Sequence, residues 1–211
     1  MPQEEIIQAL GNLPWPRPVP GDWKDAQHQE ASRRQAELFD DACEELCRRL
    51  RQEDAHDVFE ALFSIACSRD LGNQALPVHI LLYIKTPCPL SCTEAIRHVS
   101  RSEWDLSLEE VPWYVAACFG TDAIYQSLDE LEAEDDIQEF RKVEAAWHAL
   151  NSEPMSLSRY LETEKERPHH SVEARLDVIR YWTDILVRDE KGRLENWHPF
   201  WWRSKKPSLM D

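Results

Sequence analysis

Apolar residues recur at helical spacing along most of this chain, and no other feature constrains its fold so strongly. Phe39, Cys43, Leu46, Cys47 and Leu50 follow one another at i, i+4, i+7, i+8 and i+11, which is one face of a helix. Phe59, Leu62, Phe63, Ala66 and Cys67 repeat the pattern, as do Ile124, Leu128 and Leu131, and then Ile137, Phe140, Val143, Trp147 and Leu150. Leu157, Tyr160 and Leu161 continue it, and Leu176, Ile179, Trp182 and Leu186 close the series. Only five glycines interrupt 211 residues, and Ala, Leu, Glu and Arg are plentiful, which is the vocabulary of helices. The expected class is all-α, with about eight or nine helices in antiparallel pairs, forming an α-solenoid-like stack or an irregular helical bundle.

Turn and cap residues divide the pattern. Pro14, Pro16, Pro18 and Pro20 alternate with Trp15, Arg17 and Val19, so this stretch is extended, while residues 3–10 suit a short helix. Segment 1–29 is therefore read as an extended arm whose Trp15 and Trp23 pack on the body. Ser32 with Gln35 resembles a capping box opening the first long helix, Asp54 caps a second, and the short connection predicts an antiparallel hairpin ending near Gly72. Pro77 opens a helix over 76–84, and Ser91 with Glu94 forms a further capping box. Ser107 and Glu110 carry the signals of another helix start, and Gly120 followed by Thr121 predicts a tight corner between two helices. Pro168 and Ser171 precede a last helix that stops near Gly192. The expected organisation is the arm, one helical domain over 30–192, and an aromatic, basic tail over 193–211.

No stretch reaches the ~20 apolar residues of a membrane span, and Met1-Pro2-Gln3-Glu4-Glu5 lacks the basic and apolar regions of a signal peptide. Cys43, Cys47, Cys67 and Cys118 fall at core spacings, which suits reduced thiols. Both observations lead to the expectation of a cytoplasmic protein.

The net charge of −16 is unevenly placed. From Ser102 to Phe140 there are twelve acids and no Lys, Arg or His, whereas from Arg141 onward thirteen basic residues face twelve acids. Such a field repels nucleic acid and anionic membrane and favours encounter with a basic protein. Glu109, Glu110, Asp129, Glu130, Glu132, Glu134, Asp135 and Asp136 are the partner-binding candidates in this stretch, against the plainer alternative of a solubilising face. Trp197, Trp201 and Trp202, beside Lys205 and Lys206, are the candidates in the tail, either docking back on the body or offering a dimerisation patch.

Chemistry-bearing patterns are weak. His79, Cys88, Cys92 and His98 carry zinc-ligand types, but without the tight Cys knuckle of a structural site. Glu53 with His56 is a single Glu-x-x-His where a di-iron bundle uses two. Glu94 with His98 and Glu144 with His148 have the spacing of helical surface pairs, and His169, His170 and Ser171 suit a polar loop with a cap. No phosphate loop, dinucleotide fingerprint or nucleophile elbow is present. Neither a cofactor nor a metal is expected.

The segment Trp104 to Leu131, with Trp-Asp-Leu-Ser, Val-Pro-Trp-Tyr-Val and Phe-Gly before a Leu-rich acidic helix, resembles stretches of uncharacterised bacterial HEAT-like helical proteins over about a seventh of the chain. That resemblance implies a binding scaffold, and the immunity-protein type among small acidic helical proteins is its sharpest form. It carries no functional residue across. The leading expectation is a non-catalytic module that engages a basic protein partner. An enzyme with a Glu/His site between helices and a structural subunit joined through its C-terminal aromatics, as a homodimer, are the alternatives.

Overall fold

A computed structural model describes residues 1–68, 74–134, 172–189, 192 and 194–201. Among them there are eight helices and no strand, so the chain is all-α. They are α1 (Gln3–Gly11), α2 (Ala26–Leu50), α3 (Ala55–Ala66), α4 (Ala75–Ile84), α5 (Cys92–Ser100), α6 (Glu110–Phe119), α7 (Thr121–Glu132) and α8 (Val172–Arg188). The expected helices around Ile137, Phe140, Val143, Trp147, Leu150, Leu157, Tyr160 and Leu161 lie outside the described residues, as does the Gly72 stop. None of the described helices is long and apolar enough to cross a membrane.

The described residues form two compact units. The first contains 1–66, 74–89 and 195–201, and the second contains 67–68, 90–134, 172–189, 192 and 194. Arm and tail both belong to the first unit, and the span 30–192 contributes to both.

In the first unit, α1 buries Ile6 and Leu10, its two positions at i and i+4, and packs on α3. The proline stretch then runs without helix, as expected, held where Arg17 N–H donates to Gln35 Oε1 at 2.7 Å and where Trp15 meets Phe39 at a centroid distance of 4.7 Å. Trp23 does not pack on the body: it is 69% exposed, with the Lys24 ammonium 5.3 Å from its ring centre. The first long helix also starts earlier than Ser32. Asp25 accepts from the Gln27 N–H at 2.9 Å, and the run Ala-Gln-His-Gln-Glu-Ala that follows has no residue that would break a helix. One satisfied orphan donor and good helix formers fix that start.

α3 opens where Asp54 accepts from the His56 N–H at 2.9 Å, as expected. It packs most closely on α4 and α1, and α2 packs on α4, so the expected α2–α3 hairpin is not the dominant pairing. The reason is that α3 is apolar on several sides, burying Val58, Phe59, Leu62, Phe63 and Ile65, and one neighbour cannot cover such a helix. α4 is nearly all buried, and it ends at Lys85, whose φ of 57° lies in the left-handed region. A non-glycine residue there costs about 1–2 kcal/mol, which the Lys85 N–H to Leu81 carbonyl bond helps to offset.

In the second unit α5 begins with the complete capping box of Ser91 and Glu94. Ser107 is not a helix cap, because Asp105 Oδ1 takes both its N–H at 3.0 Å and its hydroxyl at 2.8 Å, and α6 starts three residues later. Gly120, at φ 82°, ends α6 and begins α7 in a single residue, a conformation that favours glycine. α5, α6, α7 and α8 pack on one another around Ile96, Trp104, Tyr114, Ile124 and Leu176.

Candidate functional site

α7 presents the acidic candidates because its inner face is fixed by burial. Ile124, Ser127, Leu128 and Leu131 lie at i, i+3, i+4 and i+7 and are buried, which turns Asp122, Gln126, Asp129 and Glu130 to solvent. The surface is less negative than the sequence implies. Arg180 of α8 reaches Glu132 at 2.8 Å and Asp129 at 3.1 Å, and the Arg97 and Arg101 guanidinium groups hold Glu134 at 2.6 and 3.2 Å. Glu130 has a different partner, the Thr93 hydroxyl at 3.0 Å. Asp122 makes no ion pair among the described residues. Three acids along α7 and its end, Asp129, Glu132 and Glu134, are thus met by three arginines that lie far away in sequence.

Glu109 and Glu110 are half-buried where α6 begins, and Asp135 and Asp136 lie outside the described residues. Beside the acids, Tyr125 donates to Asp184 Oδ1 at 2.5 Å. Burial, together with that carboxylate, pushes the Tyr125 phenol up to about 12. Tyr125 therefore stays a neutral donor that ties α7 to α8.

The tail candidates lie in the first unit. Trp201 is 2% exposed and stands edge-on to Tyr83 at 5.9 Å, so its ring belongs to the interior. Trp197 is half-buried and sits 5.0 Å from His79, and Phe200 lies 5.0 Å from His79 and 6.1 Å from Phe39. His79 is thus enclosed by three rings from 197–201. Trp202, Lys205 and Lys206 lie outside the described residues.

The zinc-ligand types are not assembled by what is described: no group of three or more His, Cys, Asp or Glu side chains among these residues is placed to hold a metal. Cys88 is half-buried, His98 is exposed on α5, and burial raises the Cys92 thiol above its ordinary value, against the Ser127 hydrogen bond that lowers it. A raised thiol is a poorer ligand and nucleophile. Of the Glu/His pairs, Glu94 is committed to Ser91, accepting its hydroxyl at 2.7 Å and its N–H at 2.9 Å, bonds that lower the carboxyl below its usual range. Glu53 pairs with the Met1 amine while His56 is exposed. Glu144, His148, His169, His170 and Ser171 lie outside the described residues.

Sequence reasoning missed Arg175. It is 3% exposed, and its guanidinium donates to the Trp104 carbonyl at 2.6 Å. The signal was its spacing: Arg175, Ile179 and Thr183 share one helical face with Leu176, so an arginine stands in an apolar row. Two indoles complete the fastening of this loop, Trp104 donating to the Leu108 carbonyl at 3.2 Å and Trp182 to the Leu106 carbonyl at 3.1 Å.

No protein-family model matches this chain, and no curated protein or solved structure matches it either.

Proposed function

We propose that the protein is a non-catalytic binding module that engages a basic protein partner through the solvent face of α7, with an immunity or inhibitor role of the kind its HEAT-like resemblance implies. The observation that carries this reading is the outer row of α7. Asp122 and Glu130 make no ion pair among the described residues, and Asp129 shares Arg180 with Glu132 while remaining 74% exposed. A net charge of −16 adds long-range attraction for a basic surface. Glu132 and Glu134 serve chiefly as ties to α8 and α5, so they contribute less to the partner.

The test is capture from native extract at low and moderate salt, comparing the wild type with the triple variant Asp122→Asn, Asp129→Asn, Glu130→Gln. A bound basic protein should be released as ionic strength rises, and the triple variant should retain little of it. Equal capture by the variant would remove α7 as the binding surface.

A further inference from the structure

The first half of α2 is a second surface with its own logic. From Ala26 to Leu38 no residue is buried, and the buried row of the helix starts only at Phe39. These thirteen residues span roughly 20 Å of helix. One side of that stretch borders a shallow, mostly apolar depression of about 560 Å³, to which Ala26, Gln27, Ala31, Arg34 and Leu38 contribute. Leu38 is 59% exposed at its end.

The charges select the occupant. Between Ala26 and Leu38 stand two acids, Glu30 and Glu37, and two arginines, Arg33 and Arg34, so this patch is neutral within a chain of −16. It is a place where two like-charged copies can approach without adding to their repulsion. Arg33 takes both Glu30 and Glu37, which leaves Arg34 without an ion pair among the described residues.

We propose that this face of α2 docks antiparallel on the same face of a second copy. Gln27, Ala31, Arg34 and Leu38 are spaced +4, +3, +4, the seam of paired helices. A two-fold axis passing between residues 32 and 33 sets Leu38 over Ala26 and Gln27 of the partner subunit. It also sets Arg34 over Ala31 and Glu30 of the partner subunit. Leu38 then lies on Ala26 and the Gln27 stem, the Arg34 stem covers Ala31, and its guanidinium reaches the free oxygen of a carboxylate. A parallel pairing would instead oppose Arg34 to Arg34. The contact is isologous, so it closes as a dimer. It uses none of the α7 acids, and its salt response is opposite to that of partner capture: screening the repulsion between two −16 bodies tightens it.

Sedimentation equilibrium of the full chain tests this. The wild type should show a monomer–dimer equilibrium below about 100 μM that strengthens from low to moderate salt. Leu38→Glu should weaken dimerisation by at least about tenfold, while far-UV circular dichroism and melting, read at dilution where both proteins are monomeric, stay unchanged because Leu38 is exposed. Glu30→Arg and Arg34→Glu should each be monomeric alone, and their equimolar mixture should restore the dimer, because each then supplies the charge the other lacks. A wild type that remains monomeric throughout would overturn the proposal. So would a dimer indifferent to Leu38→Glu, which would place the contact elsewhere, or a mixture of charge variants that stays monomeric.

Discussion

The two units hold segments that are distant in sequence by different means. In the first, residues 197–201 are fixed by rings: Trp197, Phe200 and Trp201 close on His79, with Phe39 and Tyr83 beside them. In the second, α8 is tied to α7 and to the loop before α6 by directed polar bonds from Tyr125, Arg175, Arg180 and Trp182. Ring burial is strong and indifferent to salt, but it specifies direction weakly. Hydrogen bonds and ion pairs contribute less each, yet they set the register of one element on another.

The sharpest way to break this contrast is Trp201→Ala, which removes a fully buried ring and should cost about 3–5 kcal/mol in urea unfolding. Trp201→Phe should cost much less, because the buried indole N–H has no hydrogen-bond partner among the described residues. A Trp201→Ala protein as stable as the wild type would mean that rings do not fasten the first unit.

Arg175→Ala comes next. It strips the Trp104 carbonyl of its buried donor and should cost about 1–3 kcal/mol, read in the same denaturation experiment. An unchanged midpoint would remove Arg175 as the tie of the second unit.

Arg180→Ala is the smallest effect. Its pairs with Asp129 and Glu132 are partly exposed, so the expected loss is about 0–1 kcal/mol, disappearing near 1 M salt. A larger, salt-insensitive loss would show that Arg180 acts through packing on Tyr125, whose ring centre is 6.0 Å away, and not through charge.

Much of the local structure was legible. Asp54 and the Ser91–Glu94 box announce their helices, Gly120 announces its corner, and Pro77 fits the first turn of α4, since each depends on backbone groups a few residues away. Ser32 with Gln35 resembles a capping box, yet α2 begins six residues earlier, because Asp25 accepts the Gln27 N–H and nothing between them breaks a helix. Trp15 and Trp23 look alike in sequence, yet only Trp15 found a ring to stack on. The acidic surface was legible as a list of residues and misleading as a field. Arg180 stands 51 residues from Asp129, and Arg97 stands 37 from Glu134, so no local pattern announces that they meet.

By itself the sequence determined the all-helical class, most of the helix boundaries and an excess of negative charge. These follow from hydrophobic period, cap chemistry and composition, which act over a few residues or over the whole chain at once. Only the tertiary structure decided which acids face solvent and which meet an arginine, that Arg175 is buried, that Trp201 lies in a core, and that the first half of α2 buries no residue. Each of these depends on which surfaces packing brings opposite one another, and that choice is made by segments far apart along the chain.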